Sequence, residues 1–208
     1  MKLIVYPAYF PNIWTYASML QASDVCLEIH GNYQKQTYRN RTAIYGANGR
    51  INLTVPVHFT HHNRQLYRDI KISQSENWQA NHWKSIKSAY SSSPFFEYYE
   101  DMIEPFFQNS FSYMQDLSIA SMELLNTLLG IELNWTYSSN FESSPEPRDF
   151  RFLIKSRQER IPDLKPYIQV FSAKHGFINN LSTLDLLFNE GPAAKNYLLS
   201  QDVDLLVG

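Results

Sequence analysis

The first apolar positions, Leu3, Ile4 and Val5, run together as in a strand, and the segment between Pro7 and Pro11 stops them. From Asn12 onward Ile13, Tyr16, Ala17 and Leu20 recur at helical spacing, which predicts a helix with one apolar face. Asp24 breaks that period. Val25, Leu27 and Ile29 then alternate with Cys26, Glu28 and His30, so a second strand is predicted. Strand, helix and strand in so short a span predict a βαβ unit, because a crossover helix returns the chain in the same direction. Ligands of such units sit beyond the carboxyl ends of the strands, which places residues 6–11 and 30–35 beside the expected pocket.

Beyond a polar segment at 32–41, residues 42–45 and 51–57 flank Gly46-Ala47-Asn48-Gly49. Asn-Gly tolerates positive φ, so a β-hairpin is predicted there. Residues 66–72 read as one further strand. From Asn77 the period is helical, with Trp78, His82, Ile86, Ala89 and Tyr90 on one face and Lys84, Lys87 and Ser88 on the other. Ser93-Pro94 reads as an N-cap with proline at the first helical position, opening a helix that Pro105 ends or bends. A third helix is predicted at 116–129, closed by Gly130. Residues 138–149 carry neither period and read as a loop. A returning strand is expected at 167–171. Ser182 and Asp185 have capping-box spacing, Gly191-Pro192 ends the helix they open, and residues 193–200 fit a last helix. The predicted class is α/β: an N-terminal βαβ unit with a mixed sheet including a hairpin, then a mainly helical C-terminal half. A chain of 208 residues is expected to form a single domain.

Composition adds one unusual quantity, an aromatic content of 15%, carried by 14 Tyr, 13 Phe and 4 Trp. Such a surplus serves either a pocket or a Tyr-rich core with satisfied hydroxyls. A formal charge of −2 fits poorly with a binder of phosphate backbones, so nucleic acid is not the expected partner. Cys26 has no second cysteine to pair with, which points to the reducing cytoplasm. The opening apolar stretch is shorter than a signal-peptide core, and no run approaches a membrane span.

Two constellations can carry chemistry. In Tyr33-Gln34-Lys35-Gln36-Thr37-Tyr38-Arg39-Asn40-Arg41 an extended backbone would give Lys35, Arg39 and Arg41 one parity, able to grip a phosphate or carboxylate. Gln34 and Asn40 suit sugar hydroxyls. A solvated edge strand protected by its charges is the competing reading. On the second predicted helix His82 is centred in the apolar face, beside Trp78, Gln79 and Trp83, with Tyr90 two turns on. His82 could carry a proton, with Tyr90 as a second catalytic candidate, or it could be a neutral core histidine. Trp78 and Trp83 could stack on a sugar or pack the helix.

No metal centre is expected. His58, His61 and His62 lie in a polar stretch that reads as a surface loop, and Asp202-Val203-Asp204 sits beside the C-terminus. There is no phosphate loop, nucleophile elbow or zinc spacing, and Cys26 reads as a small core residue.

The order of motifs resembles the WbqC-like family in its short form. The residues concerned are Tyr9-Phe10-Pro11-Asn12, Tyr33-Gln34-Lys35, Arg39-Asn40-Arg41, residues 53–57, Trp78-Gln79 with His82-Trp83, and Ser93-Pro94-Phe95-Phe96. Asn180-Leu181-Ser182 and residues 184–192 complete the resemblance. It implies a role around cell-surface polysaccharide, such as O-antigen, or modified nucleotide-sugar synthesis. The wider family often opens with His-Gln-Pro; Val5-Tyr6-Pro7 stands here, so no mechanism resting on that histidine carries over.

The resulting expectation is a transferase-like enzyme that modifies an activated sugar and binds an anionic, sugar-containing ligand such as a nucleotide sugar. Tyr9, Asn12, Tyr33, Gln34, Lys35, Arg39, Asn40, Arg41, Trp78, Gln79 and Trp83 would line the site, with His82 and Tyr90 as its catalytic pair. A non-catalytic binding or assembly module and a single-stranded nucleic-acid binder are the alternatives. The sequence indicates no particular cofactor and leaves a homo-oligomer open. All of this needs the basic stretch and the tryptophan helix to meet across one cavity.

Overall fold

β1 (Lys2–Val5), α1 (Ile13–Gln21) and β2 (Asp24–Leu27) form the predicted βαβ unit, with β1 and β2 parallel and Lys2 opposite Asp24. The elements are those of a computed structural model, which describes residues 2–59, 65–145, 148–156 and 161–206. α1 begins where the sequence placed it because the Asn12 side chain accepts the amide of Thr15 at 2.9 Å, relieving one unpaired donor of the first turn. The hairpin follows as β3 (Arg41–Gly46) and β4 (Gly49–Thr54), turning through Ala47-Asn48, with Gly49 at φ 99° where only glycine is unstrained. β5 (Val57–His58) pairs antiparallel with β6 (Lys71–Ile72).

The helical part comprises α2 (Trp78–Tyr90), α3 (Phe96–Ile103) and α4 (Met114–Leu129), the last closed by Gly130 at φ 60°. Then come β7 (Trp135–Tyr137), β8 (Arg148–Asp149), the single turn α5 (Ser172–His175), α6 (Thr183–Glu190) and α7 (Ala194–Leu199). The parallel sheet has the order β7-β2-β1-β8, and its Leu3, Val5, Val25 and Leu27 join α1 in the main core. The class is α/β, as predicted; the hairpin stands as its own two-stranded sheet. No helix among the described residues is long and apolar enough to cross a membrane.

Several local expectations are corrected. Residues 66–72 are a 3-10 turn at Tyr67–Asp69 followed by short β6, because Tyr67 swings fully into the core to bond Ser118 Oγ at 2.6 Å. Ser93 does not cap α3: its hydroxyl turns back to the carbonyl of Tyr90 at 2.7 Å, closing α2 instead. No strand forms at 167–171. There the Gln169 side chain both donates to and accepts from the backbone of Ile178, at 3.0 and 2.8 Å, doing the work of a strand neighbour. The loop expected at 138–149 ends in β8, which pairs with β1 through Leu3–Arg148 and Ile4–Asp149.

The motifs at 9–12 and 180–182, far apart in sequence, meet at the start of α1. Phe10 and Asn180 adopt positive φ, 41° and 52°. Ile13 donates to the carbonyl of Leu181, Trp14 to the Asn180 side chain, and Thr183 to Pro11, so the strained turns are held from both sides. Asn12, a candidate ligand residue, is consumed by this junction.

Candidate functional site

Residues 33–40 do not run extended. Thr37 Oγ1 donates to the carbonyl of Gln34 at 2.9 Å, and Gln36 has φ 59°, so the segment folds into turns and the parity argument fails. The turns separate the three cations. Lys35 and Arg41 line a cavity of about 280 Å³ together with Tyr33, Gln36 and Asn40, facing Thr54, Val55, Pro56, Val57 and Phe59. Arg39 instead turns inward and is 1% exposed. Gln34 stays on the exposed surface; Gln36 takes the place in the cavity expected of it.

The cavity is cationic on one side and aromatic on the other. Lys35 Nζ lies 4.7 Å from the centroid of Phe59, and Tyr33 packs at 5.3 Å against Phe59 and at 6.5 Å, nearly parallel, against Tyr67. Burial pushes the Tyr33 hydroxyl up to about 12 against the pull of Arg41 and Arg39, so it is a neutral phenol at neutral pH. Nε of Arg41 is buried with no hydrogen-bond partner among the described residues. Asn40 anchors the wall by donating from Nδ2 to the carbonyl of Val55 at 3.0 Å, while the amide of Val55 donates to the Asn40 carbonyl at 2.8 Å. Its Oδ1 accepts nothing from the described residues.

Arg39 sits behind this wall, its guanidinium 3.9 Å from the Tyr6 ring centroid and 5.7 Å from that of Tyr67. Among the described residues it forms no ion pair, and burial lowers its pKa. Its positive charge acts on Tyr33 in the cavity wall at a distance rather than by contact.

The tryptophan helix does not supply the opposite wall. Trp78 and Trp83 are core residues: Trp83 stacks on Phe107 at 5.5 Å, and Trp78 meets the rings of Tyr9 and His82 edge-on. Gln79 is spent on the carbonyl of Asn109 at 2.6 Å. Tyr90, fully buried, donates to Asp185 Oδ1 at 2.7 Å and accepts the amide of Tyr45. Tyr9 is fully buried too.

His82 is 5% exposed, and both of its ring nitrogens are bonded. Nε2 lies 3.2 Å from the carbonyl of Thr54; a carbonyl only accepts, so Nε2 carries the hydrogen and Nδ1 accepts from the Tyr9 hydroxyl at 3.0 Å. Burial lowers its pKa to about 4. The expected proton carrier is thus a neutral core histidine, excluded from solvent because the apolar face that centres it on α2 packs inward. It still touches the cavity indirectly, because Thr54 is part of the wall.

The carboxyl ends of the parallel strands, where the sequence pointed for a ligand, hold a charge cluster instead. Glu28 follows β2, is fully buried, and accepts on Oε1 from the amide of His30 and the hydroxyl of Ser138, which follows β7. Arg151, two residues past β8, lies 3.6 Å from the other Glu28 oxygen and bonds Asp149 through Nε and Nη2. Sequence reasoning passed over Glu28 and Arg151. Glu28 left one signal, a carboxylate at the end of a predicted buried strand; nothing periodic marks Arg151.

His58 is exposed, His61 and His62 lie outside the described residues, and no group of three metal-binding side chains occurs among the described residues. Asp204 is engaged by Arg148 at 2.5 Å, and Asp202 accepts the Asp204 amide. Cys26 is half-buried rather than core; with Lys2, Ile4 and Thr136 it lines a separate groove of about 510 Å³ on the outer sheet face.

Comparison with known proteins adds three results. Uncharacterized protein Rv1507c of Mycobacterium tuberculosis (strain ATCC 25618 / H37Rv) is 26% identical over 198 residues, covering 80% of this chain and 83% of that protein. No solved structure gives a significant match. The WbqC-like protein family matches residues 6–160, a span that contains the whole cavity and the junction residues 9–12. By that match over most of its length, the chain belongs to the WbqC-like protein family.

Proposed function

We propose that the protein binds an anionic, hydroxyl-bearing small molecule, of the sugar phosphate or nucleotide-sugar class, in the cavity of Tyr33, Lys35, Asn40 and Arg41. Its role would lie in cell-surface polysaccharide or modified nucleotide-sugar synthesis. The observation that carries this reading is the pairing of Lys35 with an Arg41 whose buried Nε has no hydrogen-bond partner among the described residues, in a cavity also lined by aromatic rings. A buried guanidinium nitrogen left unpaired is costly, and an anionic oxygen would relieve it. Phe59, half-buried at the cavity, offers apolar ring surface for a sugar face.

If the reaction is transfer of the activated sugar, these two cations do its main work by stabilising negative charge on the departing phosphate. His82 then serves the site by holding Thr54 and not by moving a proton. A second reading, a binding or assembly module without catalysis, is favoured by one specific observation: among the described residues no histidine, carboxylate or cysteine lines the cavity. The nucleic-acid reading is disfavoured because Tyr33 and Tyr38 are only 6% and 5% exposed, leaving little ring face for bases.

Calorimetric titration with nucleotides, nucleotide sugars and sugar phosphates tests the binding. At least one class should bind wild type and bind Arg41→Ala roughly tenfold or more weakly; silence from every class would end the proposal. Nucleotide release from a bound nucleotide sugar would then separate the transferase from the module.

A further inference from the structure

Asn40 is fixed in a way that dictates what its neighbour in the cavity must be. The residue is 6% exposed, and its side-chain orientation is set because Nδ2 has a carbonyl, Val55 O, at 3.0 Å, to which only an N–H can bond. That leaves Oδ1 as a pure acceptor, buried and without a hydrogen-bond partner among the described residues. The next residue, Arg41, presents the opposite need, a donor nitrogen with no acceptor. Both residues wall the same cavity.

We infer that Asn40 is a specificity-determining residue, which selects anionic ligands that carry an O–H or N–H donor next to the anionic group. The inference rests on the proposed anion-binding role of the cavity and narrows its substrate class. An oxyanion alone satisfies Arg41 but leaves Asn40 Oδ1 facing only acceptor oxygens. A ligand with a hydroxyl beside its phosphate satisfies both. A site built around a buried acceptor discriminates strongly against analogues that lack the donor, because the protein group is then left unpaired.

Four probes separate charge from donor chemistry. At about pH 8.5 sulfate, methyl phosphate, inorganic phosphate and glucose 1-phosphate are all predominantly dianions. The first two have no hydroxyl, inorganic phosphate keeps one on phosphorus, and glucose 1-phosphate carries its hydroxyls on the ring. Affinities for wild type and Asn40→Ala are measured by calorimetry. One or both hydroxyl-bearing probes should bind wild type on the order of tenfold more tightly than sulfate and methyl phosphate. In Asn40→Ala that advantage should shrink to within about twofold, with sulfate binding retained. An advantage of inorganic phosphate assigns the donor to the acid hydroxyl; an advantage confined to glucose 1-phosphate assigns it to the sugar.

Equal binding of all four probes to wild type, or an advantage that survives in Asn40→Ala, overturns the inference while leaving the anion site standing. No binding of any probe overturns the inference, and silence from nucleotides and nucleotide sugars as well removes the anion site with it. The wild-type comparison needs no variant, so an absent advantage overturns the inference even if Asn40→Ala, which loses its bond to Val55, fails to fold.

Discussion

The phenol of Tyr9 donates to Nδ1 of His82 at 3.0 Å, and the same imidazole donates from Nε2 to the carbonyl of Thr54 at 3.2 Å. One neutral ring thereby joins the junction ahead of α1 to the strand that walls the cavity. The link has consequences for pH. His82 titrates near 4 when folded and near 6.5 when unfolded, so the unfolded chain binds the proton more readily between those values. Its contribution, about 3 kcal/mol, is fully present above pH 6.5 and is lost as the pH falls toward 4. Unfolding free energies of His82→Gln, measured by denaturant between pH 7 and 4.5, should fall less steeply on acidification than those of wild type; parallel curves would contradict this.

Asp185 has the opposite sign. It is fully buried among Tyr90, Tyr167 and Gln169, and burial outweighs these three donors, raising it from 3.8 to about 6. Its stabilising contribution is complete below pH 4 and is lost as the pH rises through 6. Over the shared window it offsets His82. Asp185→Asn should expose the His82 effect, steepening the acid loss of stability by about 3 kcal/mol across pH 6.5 to 4. A Tm series for wild type and variant in matched buffers checks the direction.

Arg41→Ala should separate binding from folding. No hydrogen bond or ion pair of this side chain runs to another described residue, so stability should change by less than about 0.5 kcal/mol while anion affinity drops. A large fall in Tm would mean that the guanidinium is structural.

Asn12→Ala should behave in the reverse way. Loss of the cap on Thr15, at the junction with residues 180–183, should cost about 1–2 kcal/mol by denaturant unfolding. Affinity for any ligand of the cavity should stay within about twofold, since Asn12 does not line it. An affinity loss without destabilisation would restore Asn12 to the site.

The local signals were sufficient wherever structure depends on near neighbours. Alternation at 25–29, the helical period after Asn12 and Asn77, and the glycines at 49 and 130 each fix backbone geometry within a turn or two, and each element formed close to its predicted place. The basic stretch was legible as a binding candidate because its chemistry lies in consecutive residues. What local pattern could not decide was direction. Whether Arg39 joins Lys35 and Arg41 depends on a turn at Gln36 and on Tyr6 and Tyr67, which stack on it from distant segments. Whether His82 is an acid, a base or a spacer depends on Tyr9 and Thr54, 73 and 28 residues away. A side chain's chemistry follows from its polar partners and from its access to water, and in this protein tertiary packing assigns both.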